Sequence, residues 1–374
     1  MKKFKIVTTV GTRPELIRLS RVIDFLNKNT NHKLIHTGQN YDYELNKIFF
    51  KDLGLKNPDF QIDIKGKSLI KSISEILLEV DEILKNEKPD AFLILGDTNS
   101  CLTAYCAKRR KIPIFHIEAG NRCYDQRVPE EINRKIIDHI SDINITYSSI
   151  AKDNLLRENI SPDKVFKIGT PLLEVFNFYK KKILKSKILK KYKLRKNDYY
   201  LVSVHREENL DNKKNLSDFI GLLNYLNERG SKKIIVSTHP RTMSRIKNLK
   251  IKEMKNLIFA KPFSYSDYSN LQINSKIVLS DSGSITEESN IMKFNAINLR
   301  NTNERQEGMS VGATPMTHFN IDKIDNLIAF YEATTQKNID LIEDYNCPNF
   351  SKIFYKLLIS YTDYINEYTW KSKI

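Results

Sequence analysis

Short, nearly continuous apolar runs alternate along the chain with longer segments whose apolar positions recur every three or four residues. The short runs are "KFKIVTTV", "KLIHTG", "DAFLILGD", "IPIFHIEAG", "DINITYS" and "VFKIG", followed by "YYLVSVH", "KIIVSTH", "LIFA", "KIVLSDSG" and "NAINLR". Runs with so little polar alternation fit strands buried on both faces, as in parallel sheets. Helical periods fill the intervals, at Pro14–Lys28, Ser68–Lys85, Thr98–Arg110 and Lys213–Arg229. Strand–helix–strand repetition predicts an α/β fold with largely parallel sheets.

A lysine-rich helical stretch, "KKKILKSKILKKYKLRK" (Lys180–Lys196), separates two series of strands, and the second series starts at Tyr199. At 374 residues the chain is too long for one ordinary core. The expected organisation is two Rossmann-like domains facing an interdomain cleft. Residues 1–170 form the first and 171–357 the second, and the helical end, 358–374, packs back on the first.

Composition changes this picture little. Hydrophobic residues make up 40% and charged residues 28%, ordinary values for a globular protein. The net charge of +16 raises nucleic acid as a partner. The lysines recur on helical faces, however, which reads as a solvated surface. No apolar stretch is long enough for a transmembrane helix, and "MKKFKIVTTVGTRPE" reads as a first strand and not a signal peptide. Cys101, Cys106, Cys123 and Cys347 form no C-x-x-C pair. Neither a zinc site nor a disulfide framework is expected, and the compartment implied is a reducing cytoplasm.

Polar, glycine-rich or charged loops follow the strand ends repeatedly, where open parallel sheets bind ligands. "VGTRPELIR" puts a glycine turn and Arg13 at a helix start, an anion site or a plain tight turn. "LSDSGSITEES" places Ser282, Gly283 and Ser284 between a strand and a helix, where small residues let a phosphate reach backbone N–H groups. Glu288, in the first turn of that helix, either complements the helix dipole or holds a ribose. Arg305 follows the next strand and offers a fork for diphosphate oxygens. His205 and His239 end two successive strands. Asp97, Glu118 and Glu130 emerge near neighbouring strand ends, a grouping suited to acid–base chemistry. Arg122, Arg127 and Arg134 could instead pair with those acids in a purely structural cluster.

In order, "GTRPELIR", "HTGQN", "GDTNS", "HIEAGNR", "PEEINR", "VHREEN", "HPRT", "DSGSITEE" and "ERQEG" resemble the non-hydrolysing UDP-N-acetylglucosamine 2-epimerase family over nearly the whole chain. The resemblance implies a glycosyltransferase-B-like fold, a homodimer, a UDP-sugar substrate and no cofactor or metal. It also implies removal of the C2 proton as UDP leaves C1, then return of UDP after reprotonation from the other face. Carried over by motif, the catalytic candidates are Asp97, Glu118, Glu130 (ahead of Glu131) and His205. The substrate-binding candidates are Arg13, Arg18, Arg134, His239, Tyr268, Ser282, Gly283, Ser284, Glu288 and Arg305. Arg18 stands where the family usually has lysine, Ser284 where glycine is common, and Asn40 where histidine is frequent. Parts of the sequence also resemble the subgroup that makes UDP-N-acetyl-L-fucosamine. A glycosyltransferase of the same fold is the alternative activity.

Overall fold

The computed structural model describes residues 3–38, 43–66, 68–230, 232–238, 243, 255–334 and 340–372. Gln39 and Asn40, and His239 with the rest of "HPRT", lie outside the described residues.

The first strand series forms one parallel sheet of seven strands: β1 (Lys5–Val10), β2 (Asn31–His36), β3 (Phe60–Gln61), β4 (Ala91–Leu95), β5 (Ile114–Ile117), β6 (Ile143–Thr146) and β7 (Val165–Lys167). Their order is β3-β2-β1-β4-β5-β6-β7. The second series forms a parallel sheet of five: β8 (Tyr199–Ser203), β9 (Lys233–Ser237), β10 (Leu257–Ala260), β11 (Ile277–Ser280) and β12 (Ala296–Asn298), in the order β10-β9-β8-β11-β12. β4, β5 and β6 are buried at every position, as expected for strands covered by helices on both faces. Only β3 lacked a sequence signal. Two residues carry no period, and pairing with β2 alone makes them a strand.

The chain divides into two compact units, Met1–Asn177 with Glu343–Ile374, and Phe178–Ile342. The return to the first unit therefore begins at Glu343, ahead of the expected 358. Within that unit the Phe350–Tyr364 helix packs on the Arg13–Asn29 helix, with Tyr355 edge-on to Phe25 at 5.5 Å and Phe354 edge-on to Phe115 of β5 at 6.2 Å.

Two expected helices are broken. The Thr98–Arg110 period becomes a 3-10 turn, Asn99–Thr103, followed by a short helix, Ala104–Arg109. The lysine-rich stretch splits into Leu172–Leu184 and Ile188–Lys191. There Ser186 accepts from the Ile188 N–H and donates to Asp267, offering the backbone an alternative to the helical ladder.

Both strand orders reverse once, between β1 and β4 in the first sheet and between β8 and β11 in the second. Such switch points open crevices beyond the strand ends. The loops after these four strands carry much of the candidate chemistry.

Candidate active site

In the first unit, Gly11 follows β1 where a side chain has no room. A Cβ there would lie 1.8 Å from Ser100 Oγ and 2.5 Å from Thr37 Oγ1. The adjoining Arg13–Asn29 helix starts with a reciprocal cap, in which Thr12 receives an N–H and Glu15 reaches back. Glu15 accepts from the N–H groups of Gly11 (3.0 Å) and Thr12 (2.6 Å) and from Thr12 Oγ1 (2.7 Å). Its other oxygen accepts from Thr98 Oγ1 at 3.0 Å, tying the β1 loop to the β4 loop. Burial pushes the Glu15 carboxyl up to about 7, against the pull of these donors.

The native state thus keeps a proton on Glu15 that the unfolded chain releases at lower pH. Stability should fall by roughly 3 kcal/mol as pH rises from 4.5 through 7, and level off above. Glu15→Gln should lack this component in urea unfolding at pH 5 and pH 8. An unchanged pH difference in the variant would show that Glu15 is not its source.

Leu95 of β4 pairs with Ile117 of β5, so Asp97 and Glu118 leave adjacent strand ends. Each acid meets an arginine. Arg134 holds Asp97 Oδ2 with Nε at 3.1 Å and Nη2 at 2.6 Å. Arg18 Nη1 lies 3.0 Å from Glu118 Oε2, and the Arg18 guanidinium rests over the Tyr147 ring at 5.4 Å. Glu118 has a φ of 72°, a backbone setting that ordinary side chains rarely adopt, and Asn121 Nδ2 approaches its Oε1 at 3.5 Å. Arg13 stacks over Phe49 at 5.5 Å.

The Pro129–Ile140 helix separates the two adjacent glutamates. Glu130 is half-buried in the first turn. Glu131 is fully buried and accepts from the Cys123 N–H (3.1 Å), the Tyr124 N–H (3.1 Å), the Cys123 thiol (3.2 Å) and Arg134 Nη1 (2.6 Å). Burial opposes its charge, but the Cys123 N–H and Arg134 together hold the carboxyl below its usual range. Arg134 therefore joins the loop after β4 to the loop after β5.

Arg122 does something else. It is fully buried and pairs with Asp138 (2.7 Å) and Glu158 (2.6 Å), so the acids it meets are not the three that the sequence analysis grouped it with. Asp138 also faces His116 Nδ1 at 3.0 Å and accepts from the Gly120 N–H. Burial opposes the charge of Asp138, but His116 and Arg122 outweigh it and hold the carboxyl low. Arg127 is an exposed partner of Asp125.

In the second unit, Ser282, Gly283 and Ser284 connect β11 to the Ile285–Met292 helix. Ser282 Oγ and Ser284 Oγ lie 3.0 Å apart, and Ser284 Oγ donates to Glu288 Oε1 at 2.7 Å. Gln272 Nε2 donates to the other Glu288 oxygen at 2.7 Å. A Cβ on Gly283 would fall 2.4 Å from Glu304 Oε1, so a carboxylate already stands close to this loop. Tyr268 stacks against Phe263 with ring centroids 6.4 Å apart. Arg305 is 1% exposed, with Nε on Glu287 Oε2 at 2.8 Å. His205, after β8, is exposed, and its Nδ1 lies 3.0 Å from Asp281 Oδ1.

Sequence reasoning gave no role to Glu15, Asp138 or Asp281. Glu15 was legible, since Thr12-x-x-Glu15 before an apolar run is a capping box. The partners of Asp138 and Asp281 come from remote strands and leave no local signal. Among the described residues no group of three His, Cys, Asp or Glu side chains could hold a metal ion, and no helix is long and apolar enough to cross a membrane.

The UDP-N-acetylglucosamine 2-epimerase family model matches residues 25–349. A UDP-N-acetylglucosamine 2-epimerase of Methanocaldococcus jannaschii is 37% identical over 329 residues, 86% of this chain and 90% of its own. The solved UDP-N-acetylglucosamine 2-epimerase from Rickettsia bellii is 45% identical with a TM-score of 0.90, covering 99% of this chain and 100% of that one. The M. jannaschii UDP-GlcNAc 2-epimerase, solved in complex with UDP-GlcNAc and UDP, is 34% identical with a TM-score of 0.89, covering 96% and 100%. The two parallel sheets with their helices are of the glycosyltransferase-B-like α/β kind. With its motifs in order and its architecture matched end to end, the chain belongs to the UDP-N-acetylglucosamine 2-epimerase family.

Proposed function

We propose that the protein is an isomerase that inverts C2 of UDP-N-acetylglucosamine to give UDP-N-acetylmannosamine. The C2 proton is removed as the C1–O bond breaks and its electron pair leaves with UDP. UDP then adds back after C2 is reprotonated from the opposite face. Asp97, Glu118 and Glu130 are the proton donors and acceptors. Arg18 and Arg134 orient Glu118 and Asp97. Ser282, Gly283 and Ser284 take the diphosphate at a helix start, assisted by His205 and by the positive charge of Arg13. Glu288 holds the ribose, and Tyr268 flanks the base.

The observation that carries this reading is the arginine-braced pair of acids, Asp97 and Glu118, on adjacent strand ends of a chain in this family. A glycosyltransferase needs one base and an acceptor site, and has no use for acids on both faces of one carbon. The test is proton exchange. Incubation in D₂O with UDP-N-acetylglucosamine should place deuterium at C2 and form the manno product. UDP-2-acetamido-2,6-dideoxy-L-talose, from which the other subgroup makes UDP-N-acetyl-L-fucosamine, is offered in parallel and decides between the two epimerase subgroups. No exchange with any UDP-N-acetylhexosamine would defeat the proposal.

The same reading includes a homodimer and a cytosolic location, in keeping with four free thiols. Exposed apolar side chains gather on three adjoining helices of the first unit: Ile70 and Leu78 on Leu69–Glu87, Tyr105 on Ala104–Arg109, and Ile132 and Ile136 on Pro129–Ile140. They are 47–72% exposed, an arrangement suited to burial against a second copy. Sedimentation should find a dimer at micromolar concentration, and the Ile132→Glu, Ile136→Glu double variant should be a monomer. A monomeric parent chain would remove the dimer.

A further inference from the structure

Strand pairing sets the roots of Asp97 and Glu118, and side-chain ties take over beyond them. The Gly96 N–H still donates to the Ile117 carbonyl at 2.9 Å, and the chain then turns off the sheet at Gly96, where φ is 79°. Glycine adopts that left-handed setting without steric cost. On one side the loop is held by the Pro129–Ile140 helix. Asn133 Nδ2 donates to the Asp97 carbonyl at 2.9 Å and to Asn99 Oδ1 at 3.2 Å, while the neighbouring Arg134 grips the Asp97 carboxylate. These holds tie Asp97 to the helix that carries Glu130. Glu118 is braced from another helix, by Arg18.

That second helix, Arg13–Asn29, reaches the Asp97 loop through Glu15. Glu15 and Arg18 share one helical face at a spacing of i, i+3, and are 2% and 4% exposed. Glu15 divides its oxygens between two loops. Oε2 takes the Gly11 N–H, the Thr12 N–H and the Thr12 hydroxyl, all at the helix start. Oε1 meets Oγ1 of Thr98, the residue after Asp97, at 3.0 Å. Thr98 is extended and opens the Asn99–Thr103 turn, where its carbonyl accepts from the Cys101 N–H at 2.9 Å. The tie holds whether or not the carboxyl is charged. Thr98 donates to an ionised Oε1, and a protonated Oε1 donates to the Thr98 hydroxyl. Buried this deeply, Glu15 works through Thr98 and not on a substrate.

We propose that Glu15 is a positioning residue for the epimerase reaction: through Thr98 it locks the loop bearing Asp97 to the helix whose Arg18 braces Glu118, so that the two acids keep one spacing about C2. The inference rests on the reading of the chain as a UDP-sugar 2-epimerase with both acids at work. Proton transfer on two faces of one carbon tolerates little drift between the groups that serve it, and a misplacement of about 1 Å can cost about 10²-fold. Glu15 itself moves no proton to or from the sugar. Its cap on the helix start fixes the carboxyl, and its hold on Thr98 carries that fixity to the reaction.

The decisive variant is Thr98→Val. Valine matches threonine in shape and removes the hydroxyl, and Glu15 Oε2 keeps its donors, so the helix cap is undisturbed. In the full chain kcat should fall by about 10- to 10²-fold with KM changed by less than about threefold. Thr98→Ser restores the hydroxyl and should stay within about threefold of the parent. Glu15→Gln should do the same, because its amide oxygen serves Gly11 and Thr12 while its N–H₂ donates to Thr98 Oγ1. Glu15→Met cuts the tie from the other end. Adding Thr98→Val to it should cost less than about threefold more, since both changes remove one contact. Amide hydrogen exchange over residues 97–103 should quicken about tenfold in Thr98→Val and in Glu15→Met, and stay at the parent rate in Thr98→Ser and Glu15→Gln.

A Thr98→Val enzyme that turns over within about threefold of the parent overturns the proposal. So does a Thr98→Ser loss as large as that of Thr98→Val, or an undiminished Thr98→Val loss in the Glu15→Met background. Should Glu15→Met fail to fold, the valine and serine variants still decide, because neither touches the cap. Parent protein that exchanges no C2 proton with any UDP-sugar removes the epimerase reading instead. Hydrogen exchange in the Thr98 variants then still decides whether Glu15 holds the loop, and equal rates in valine and serine would show that it does not.

Discussion

Glu118→Gln is expected to lower turnover by about 10²–10⁴-fold while leaving a folded protein. Glutamine matches the shape of glutamate and can still accept from Arg18, which sits 3.0 Å from Glu118 Oε2. It can neither take nor return a proton. The backbone at Glu118 is already in the left-handed region, at φ 72°, and a residue kept there marks a site where position is worth local strain. The loss of charge also leaves Arg18, 4% exposed, with a neutral partner, so stability should fall by about 1–3 kcal/mol. Deuterium exchange at C2 separates these effects. If Glu118 handles the proton, exchange falls with turnover, and thermal melting moves only modestly. Turnover within about threefold of the parent would remove Glu118 from the proton transfer.

Arg134→Met should be the more disruptive change. One guanidinium satisfies Asp97 through two bonds and Glu131 through a third. Glu131 is completely buried, so losing Arg134 strands a carboxylate in the interior with only N–H and thiol partners. Breaking a buried ion pair from one side costs about 3–5 kcal/mol. For a unit of this size that is a fall in Tm of roughly 10 °C. Asp97 would also lose the fork that fixes its Oδ2, and turnover should drop at least about 10³-fold if Asp97 serves C2. Arg134→Lys keeps the charge but loses the fork, so it should recover part of the stability and little of the activity. A methionine variant that melts normally and turns over within about tenfold would show that the fork is dispensable.

Much of the fold was legible because parallel strands buried on both faces write themselves as apolar runs. β4 and β5 are visible in "AFLIL" and "IFHI" without any tertiary information. The exceptions have local causes. β3 is too short to carry a period, and the Thr98–Arg110 helix is spoiled where Ser100 packs under Gly11. At the candidate site, motif order identified the loops and most of the residue types. It could not rank two adjacent glutamates by their contacts. In the fold Glu131 is committed to the Cys123–Tyr124 backbone and Arg134, whereas Glu130 is half-buried in the helix's first turn. Nor could sequence tell Arg122 from Arg134. Both are arginines near acids, yet one closes a buried network with Asp138 and Glu158 while the other braces Asp97.

The sequence by itself determined the α/β class, the two series of strands and the family, since each is carried by local hydrophobic period or by contiguous motifs. Only the tertiary structure decided which charges meet. Arg18 finds Glu118, Arg134 finds Asp97, Glu15 finds Thr98, and His205 finds Asp281, in every case between helices or loops that follow different strands. Side-chain pairing between remote segments depends on strand order and register, and these are set by how whole sheets assemble, which no short stretch of sequence records.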